Sequence, residues 1–507
     1  MIKNFKWLLL VSLTFVACDS SDDAVTDPNS IDGSPLTAGS ADFSKYVALG
    51  DSFAAGYSDG ALFKTGQENA YPNILATQFA LVGGGDFATP FMIDNIGGFS
   101  SGGAQVPGFS TRLVFNPATS TPAPISGISG TDISAHLSGS FNNYGIPGAK
   151  SYHLLFDGYA AANPYFGRFA SSSSATVIGD ALAQSPTFFS LWIGGNDELG
   201  YATAGGDTAL NPLTPANVFQ QSYGMLISQL TAGGRKGVIA NLPYVTTLPY
   251  FHVIQYNQLT QANLTVGGVN QVNALNAQLY GPLHNALAFL GQGSRINLLS
   301  TSGNNPMIMV DETLTDVSTS LTAVLIGSGL DVPTATALGQ IFGRARQTVP
   351  TDLICLSASS RIGQVPSVAL DGVASPTPLL SQLGVTFPLP DRYILIPTEV
   401  TEIQAATDSY NAVIEGVAAD ASLNLAFVNA KDIMNQLTGP TGVVMSGYTM
   451  TATYVTGNTF SLDGIHPSPR GYAMIANKFL EAINTKYGSN FKGVNLGQYQ
   501  ILYPSGL

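Results

Sequence analysis

Residues 46–52 read YVALGDS, a short apolar run that ends in a glycine, an acid and a serine. Four apolar residues bounded by a turn signal are typical of a strand that is covered on both faces of a parallel sheet. Similar apolar runs occur at residues 141–144, 188–193, 238–241 and 423–429. Helical segments separate these runs. The alternation predicts an α/β fold, a three-layer α/β/α sandwich around a central parallel sheet of about five strands.

Apolar periods and end signals mark the helices. Thr214 and Pro215 predict the N-cap and the first residue of a helix, and the glycine pair at 233–234 predicts its end. Buried stripes at helical spacing predict two more helices, over residues 399–419 and from Pro469 onward. Further helical pieces are predicted at residues 71–81, 272–290 and 317–326.

Ser52 belongs to the first of four motifs that combine small residues with polar ones. The other three read NYGIPG at residues 143–148, GGND at 194–197 and DGIH at 463–466. Three of the four motifs lie at or beside the carboxyl end of a predicted strand. Because open α/β sheets bind ligands at that edge, the motifs are expected to meet in one site.

In these four motifs the chain resembles the SGNH/GDSL hydrolases, a family of serine esterases and lipases. The resemblance implies a flavodoxin-like strand order and a catalytic serine, glycine, asparagine and histidine, which here are Ser52, Gly148, Asn196 and His466. It also implies an oxyanion hole made by the backbone N–H groups of Ser52 and Gly148 and by the side-chain amide of Asn196. Phe53 stands where the family has leucine, a position expected only to pack behind the nucleophile.

The residue types fit acyl transfer. A serine hydroxyl becomes a good nucleophile when a base takes its proton, and His466 is the candidate base for Ser52. Asp463, three residues earlier, can accept a hydrogen bond from Nδ1–H, fix the tautomer and stabilise the imidazolium. Because the base must be neutral, activity should rise with pH as His466 loses its proton. Asp51 and Asp197 are expected to hold their loops through side-chain to backbone hydrogen bonds.

Each motif also has a structural reading. The GDS tripeptide could be a strand-to-helix turn in which Ser52 caps a helix, GGND could be a bare turn, and DGIH could be a loop before the last helix. The order and placement of all four together favour the catalytic reading. The other histidines show no spacing typical of metal ligands, so no metal and no cofactor are predicted. They are His136, His153, His252 and His284.

The first residues predict where the protein is sent. Lys3 and Lys6 precede an apolar run at residues 7–17, which suits a secretory signal and is too short to span a bilayer. The sequence FVAC at residues 15–18 resembles a bacterial lipobox, in which Cys18 would carry the lipid. The acidic run after this cysteine resembles the surface-export signals of Bacteroidota lipoproteins. We therefore expect a lipid anchor in the outer membrane and exposure at the cell surface, with a secreted or periplasmic protein as the alternative.

The domain organisation follows from these segments. Residues 1–17 are the predicted signal peptide, and residues 18–43 are the lipidated cysteine and a flexible tether. Residues 44–507 form the predicted hydrolase domain, with insertions at about 58–140 and 245–398. The second insertion carries few charges and is interpreted as a cap over the mouth of the active site. A packed outer decoration with no role in substrate binding is the alternative.

Charge and cysteine content restrict the possible partners. The chain has 19 basic and 32 acidic residues and a formal net charge of −13, which excludes an electrostatic surface for nucleic acid. Its two cysteines are Cys18 and Cys355, so lipidation of the first leaves no partner for a disulfide within the chain. Cys355 lies in an apolar stretch and is interpreted as a buried hydrophobic residue.

The sequence therefore predicts a carboxylic ester hydrolase that forms an acyl-enzyme. The low charge of the predicted cap favours acyl chains over highly charged esters, so a lipid or fatty-acyl ester is the expected substrate. A carbohydrate O-acetyl esterase is the alternative among enzymes. A surface binding or docking lipoprotein on a hydrolase scaffold is the alternative outside enzymes. The sequence identifies neither a protein partner nor an oligomeric state.

Overall fold

The computed structural model describes residues 26–118, 121–375 and 380–504. The predicted signal peptide, Cys18 and the first part of the tether lie outside these ranges. A central sheet of five parallel strands, with helices around it, confirms the mixed α/β class. The strands are β1 Tyr46–Gly50, β2 Asn143–Gly145, β3 Phe188–Trp192, β4 Lys236–Ala240 and β5 Ala426–Val428. Hydrogen bonds join them in the order β2-β1-β3-β4-β5, so β1 lies between β2 and β3.

Both faces of the sheet are buried, which explains why its strands read as continuous apolar runs. Val47 and Leu49 of β1 belong to one hydrophobic cluster, whereas Tyr46 and Ala48 belong to another. Successive side chains of a strand point to opposite faces, so these two clusters lie on opposite sides of the sheet. Helices contribute to both clusters, and the arrangement has three layers.

The core helices are α1 Ser52–Ala55, α2 Tyr71–Ala80, α3 Val177–Ala183, α4 Asn196–Thr203, α5 Ala216–Leu230, α6 Pro397–Ala419, α7 Ala430–Thr438 and α8 Pro469–Tyr487. Helices α2, α7 and α8 pack on the face that holds Tyr46. Helices α3, α5 and α6 pack on the face that holds Val47. The carboxyl ends of the strands therefore lie at an edge that is supported from both sides.

Most of the predicted elements are confirmed, with shifts of a few residues at their ends. The prediction that Thr214 caps α5 was wrong, because the helix begins at Ala216 and no side chain caps its first turn. Thr214 is held elsewhere, since its N–H donates to Asp197 O at 2.9 Å. The reading of GGND as a bare turn was incomplete, because Asn196 is the first residue of α4.

The described parts of residues 58–140 and 245–398 add no strand to the central sheet. The second segment has its own hydrophobic core, which includes Tyr280, Leu321 and Phe342. Its longer helices are Gly281–Phe289, which continues Val272–Leu275 and the π-helix Asn276–Tyr280, then Ser318–Gly327 and Val332–Phe342. The last of these was not predicted from the sequence.

Short elements complete the described chain. The remaining α-helices are Lys64–Glu68, Tyr159–Ala162, Pro164–Gly167 and Val368–Asp371. Antiparallel pairs join Ser100–Ser101 to Ala104–Gln105, Leu113–Asn116 to Thr121–Pro124, Thr265–Val266 to Val269–Asn270, Ile308–Val310 to Ala345–Gln347, Leu353–Ile354 to Ile394–Leu395, and Val443–Met445 to Tyr448–Met450. Over the ranges that the structure describes, no helix has both the length and the apolar character needed to cross a bilayer.

Candidate active site

The sheet brings three of the four motifs to one edge. Gly50 at the end of β1 pairs with Gly145 of β2 on one side and with Trp192 of β3 on the other. The segments that follow these three strands are therefore neighbours. A hydrogen bond of 3.0 Å from Ile146 N–H to Gly50 O ties the second segment to the first. Ser52 begins α1 directly after β1, at the centre of this edge.

Ser52, His466 and Asp463 form a hydrogen-bonded chain. His466 Nε2 lies 2.9 Å from Ser52 Oγ, and His466 Nδ1 lies 2.8 Å from Asp463 Oδ2. Ser52 is 5% exposed and His466 is 8% exposed, so the hydroxyl and the imidazole meet largely out of water. With a proton on Nδ1 that donates to Asp463, Nε2 is the acceptor for the hydroxyl proton of Ser52.

Five hydrogen bonds hold the Asp463 carboxylate. Oδ1 accepts from Ser461 Oγ and from the backbone N–H groups of Ile465 and His466, and Oδ2 accepts from Gly60 N–H as well as from the imidazole. Burial alone would raise the pKa of this carboxyl, but the charge of His466 and the hydrogen bonds outweigh burial and lower the pKa to about 2. The carboxylate is therefore ionised at any pH near neutrality.

A turn directly after α1 holds the loop that carries Asp463, and no local sequence signal indicates this role. Asp59 N–H donates to Ser461 Oγ at 2.9 Å, and Asp59 Oδ1 accepts from Leu462 N–H at 2.9 Å. Asp59 has φ of +50°, in the left-handed region that a tight turn requires. The Ser-Asp-Gly turn is visible in the sequence, but its partner Ser461 lies 402 residues later.

Gly148 and Asn196 each carry an N–H group that is free to donate a hydrogen bond among the described residues. Gly148 has φ of +80°, and a Cβ there would meet no atom within 4 Å, so its backbone conformation rather than crowding requires glycine. Among the described residues, Gly148 N–H has no acceptor. Asn196 Nδ2 donates one hydrogen to Ala149 O at 3.1 Å, which joins the two motifs and leaves its second hydrogen available. Asn196 and Ser52 line the same pocket.

Asp51 and Asp197 hold their loops as expected. Asp51 Oδ1 accepts from Phe53 N–H at 3.0 Å, and Asp197 accepts from both the N–H and the hydroxyl of Ser151 at 2.7 Å. Burial raises the pKa of Asp51 to about 6, against the opposing effects of the Phe53 N–H and the charge of His466. Burial also raises the pKa of Asp197. These two acids thus orient backbone, and the side-chain partner of the Ser52 hydroxyl is instead His466.

Phe53 does not pack behind the nucleophile, so that expectation was wrong. Its side chain lines the pocket at Ser52, with its ring centre 5.4 Å from that of His466 and 5.2 Å from that of Trp192. The reason is the orientation of α1, whose Ala54 and Ala55 take the buried side and leave Phe53 half-buried. The aromatic ring therefore belongs to the wall of the candidate active site.

Glu198 is a buried acid beside the site. It follows Asp197 in the first turn of α4 and is fully buried. Thr407 Oγ1 of α6 lies 2.6 Å from Glu198 Oε2 and 2.9 Å from Ile403 O. One hydroxyl proton cannot serve both acceptors, but a protonated Glu198 can donate to Thr407 while Thr407 donates to Ile403. Burial also raises the pKa of Glu198 well above its ordinary range, and the geometry agrees with a neutral carboxyl.

We expect Glu198→Gln to make the protein more stable at pH 8 than the native chain and to have little effect at pH 5. When folding raises the pKa of a carboxyl, the free energy of unfolding falls as pH rises from the pKa in the unfolded chain toward the pKa in the folded chain. The fall is up to ~1.4 kcal/mol per pH unit. The amide stays neutral and removes this slope. Urea denaturation at both pH values measures the effect, with the exposed Glu68→Gln as the control. Parallel pH dependence in native and Glu198→Gln chains would refute the neutral assignment.

The other histidines and Cys355 have structural surroundings. Each of the four histidines lies within hydrogen-bond distance of a backbone group, and Cys355 is buried, which raises the pKa of its thiol. The backbone partners are Ala170 O for His136, Lys150 N for His153, Thr246 O for His252 and Ile296 O for His284. These contacts agree with the structural reading of the histidines.

One group of acids has the spacing of possible metal ligands. Carboxylate oxygens of Glu312, Asp391 and Glu399 lie within 4.8 Å of one another. Burial and the neighbouring carboxylates raise the pKa values of Asp391 and Glu399. None of the three residues lines the pocket at Ser52. A cation held there would therefore lie outside the wall of the candidate active site.

The candidate nucleophile and the candidate base come from opposite ends of the described chain. Ser52 follows the first strand of the sheet, whereas His466 precedes the last long helix, so their contact forms only in the folded protein.

Comparison of the chain with protein-family models, with curated proteins and with solved structures found no match.

Proposed function

We propose that the protein is a carboxylic ester hydrolase of the SGNH/GDSL type that works through an acyl-enzyme. One observation carries this proposal: the chain of hydrogen bonds from Ser52 Oγ to His466 and on to Asp463, with contacts of 2.9 and 2.8 Å. A nucleophile, a base and an acid that orients the base are the parts that serine-based acyl transfer requires. The donors at Gly148 and Asn196 support the same reaction.

The reaction has two halves. Ser52 Oγ attacks the ester carbonyl carbon while its proton passes to His466 Nε2. The carbonyl oxygen becomes an oxyanion, which the N–H groups of Ser52 and Gly148 and the amide of Asn196 stabilise. When the carbon–oxygen bond to the alcohol breaks, the imidazolium gives its proton to the leaving oxygen. Water then attacks the acyl-enzyme with His466 as base, which releases the carboxylic acid and returns the proton to Ser52.

We propose a lipid or fatty-acyl ester as the substrate. The pocket at Ser52 has apolar walls that include Leu199, Leu242, Val245 and Ile465. Such walls suit an apolar group. Asp51 also lines this pocket, and its carboxylate accepts a hydrogen bond from Phe53 N–H. If acetylated carbohydrates were hydrolysed and longer acyl esters were not, the chain would be an O-acetyl esterase. If no ester were hydrolysed, a docking role on a hydrolase scaffold would replace the enzymatic one.

A lipid anchor at Cys18 and a cap formed by residues 245–398 complete the proposal. The cap proposal is supported where this segment meets the loop of the candidate acid. Tyr250 N–H donates to Gly464 O at 2.9 Å, and Leu356 would lie 3.4 Å from a Cβ at Gly464. Labelled fatty acid on Cys18, lost in Cys18→Ser, would support the anchor, whereas an unmodified mature N-terminus would exclude it.

Reaction with a fluorophosphonate tests the proposed nucleophile. The mature protein is treated with the probe, and the labelled peptide is mapped by mass spectrometry. Labelling at Ser52 is expected, with loss of label in Ser52→Ala and retention in Ser174→Ala, which removes an exposed serine. Absence of label under conditions in which a known serine esterase reacts would contradict the proposal.

Trp192 should report occupation of the site. It becomes the only tryptophan when the predicted signal peptide with Trp7 is removed, and it lines the pocket at Ser52. Its indole Nε1 donates to Asn241 O at 3.1 Å, which fixes the ring while a ligand changes its surroundings. We expect covalent phosphonylation of Ser52 to change the intensity or wavelength of its emission. An unchanged spectrum at complete labelling would show that the ligand does not reach this ring.

A further inference from the structure

A second cavity adjoins the pocket at Ser52. Ser52 and Asn196 line the first cavity and not the second. The centre of a water molecule can occupy about 60 Å³ of the second cavity, and all space between the lining atoms, including open solvent, is about 530 Å³. Four residues line both cavities and lie between them: Phe53, Trp192, Pro243 and Leu248.

The deeper walls of the second cavity come from two helices. Ile433, Met434 and Leu437 line it from α7, and Met474 and Phe479 line it from α8. No acidic residue belongs to its wall. The space therefore presents apolar side chains from the passage at Phe53 to the far wall, and it offers almost nothing to a polar ligand.

Several of these side chains are partly open to water, although they lie beside the core. Phe53, Trp192 and Ile433 are half-buried, whereas the adjacent Met434 and Phe479 are buried. The charged member of the wall, Lys478, has its Nζ 2.8 Å from Glu481 Oε2. An apolar space that is partly hydrated and opens beside a nucleophile gains free energy when an apolar chain displaces its water.

We propose that this space, the acyl cavity, binds the acyl chain of the ester and makes the enzyme select medium and long fatty-acyl esters over acetyl esters. The proposal rests on the proposed ester hydrolysis at Ser52. The occupant is the acyl chain rather than the alcohol because of the order of events. The alcohol must leave before water can attack, whereas the acyl chain stays bonded to Ser52 until the second half of the reaction. A space walled by two helices suits the group that stays.

Chain length should therefore control the rate. An acetyl group fills only the pocket at Ser52, whereas an octanoyl group reaches past Phe53 and Trp192 into the acyl cavity. Because single methylenes already change kcat/KM markedly in apolar pockets, we expect kcat/KM to rise at least ~10-fold from the acetate to the octanoate of p-nitrophenol.

A filling variant tests the acyl cavity, with a matched control on the same helix. Ile433→Trp adds bulk to the cavity wall, and Gln436→Trp adds the same bulk at an exposed position outside it. We expect Ile433→Trp to lower kcat/KM for the octanoate at least ~10-fold and for the acetate no more than ~2-fold. Gln436→Trp should leave both values unchanged. If Ile433→Trp fails to fold, Ala430→Phe fills the same cavity.

The outcomes separate this proposal from the proposed function. Fluorophosphonate labelling of Ser52 measures the nucleophile without using the acyl cavity. Labelled protein whose acyl-length preference is the same in native, Ile433→Trp and Ala430→Phe chains would overturn the acyl cavity alone. If Ile433→Trp lost hydrolysis of octyl acetate but kept hydrolysis of the octanoate, the acyl assignment would also be overturned. The cavity would then hold the alcohol of the ester. If Ser52 is not labelled, the proposed function fails. The acyl cavity is then tested by titrating Ser52→Ala with laurate. Absence of saturable laurate binding would show that the cavity does not bind a fatty-acyl chain.

Discussion

Ser52→Ala is expected to lower kcat for ester hydrolysis by at least ~10³-fold. The variant removes the hydroxyl oxygen that His466 Nε2 contacts at 2.9 Å, which is the proposed nucleophile. The remaining rate would come from substrate binding and from the donors at Gly148 and Asn196. Steady-state kinetics with a p-nitrophenyl ester, after active-site titration of the native enzyme, measures the loss.

The same variant should fold normally, which separates chemistry from stability. Alanine is smaller than serine, and the hydroxyl of Ser52 has one side-chain partner, so the free energy of unfolding should change by no more than about 1 kcal/mol. Ser174→Ala controls for loss of a serine at an exposed position. A folded Ser52→Ala protein with native kcat would exclude Ser52 as the nucleophile.

Asp463→Asn is expected to lower kcat by ~10³- to 10⁴-fold. Asparagine offers one oxygen and one NH₂ group, whereas the native side chain accepts five hydrogen bonds through two oxygens. If its oxygen keeps the three donors of Oδ1, its NH₂ group faces Gly60 N–H and His466 Nδ1. The imidazole then favours the tautomer with its proton on Nε2, which cannot accept a proton from Ser52.

The Asp463→Asn variant should also lose stability, in a way that depends on pH. Folding lowers the pKa of Asp463 to about 2, so its ionised form stabilises the native chain above the ordinary pKa of an aspartate. This contribution disappears as pH falls toward 2. The difference in unfolding free energy between native and variant chains should therefore be largest at neutral pH and shrink between about pH 4 and pH 2. Asp86→Asn, at an exposed position, is the control. A difference that stays constant over this range would contradict the assignment.

Local sequence signals predicted the sheet and the residues at its edge. Apolar runs such as residues 46–50 are buried on both faces, and this needs no knowledge of distant partners. The hydrogen bond that joins Ser52 to His466 was predicted through the order of the motifs. The bounds of β2 and β5 were less accurate, because flanking apolar residues such as Phe141 and Leu423 continue the pattern beyond the hydrogen-bonded pairs.

What the sequence could not predict depends on contacts between distant segments. The turn at Asp59 acquires its role from Ser461 and Leu462, and no local pattern indicates such partners. The orientation of Phe53 depends on which side of α1 is buried. Burial between distant segments raises the pKa of Glu198, so a residue that looks like a solvated acid in the sequence is a buried carboxyl beside Thr407 of another helix.

The separation of Ser52 from His466 along the chain has a consequence for synthesis. A growing polypeptide carries Ser52 414 residues before His466 is added. The turn at Asp59 likewise has no loop to hold until Ser461 and Leu462 have been made. An unfinished or unfolded chain therefore lacks the hydrogen bonds among Ser52, His466 and Asp463 on which the proposed ester hydrolysis depends.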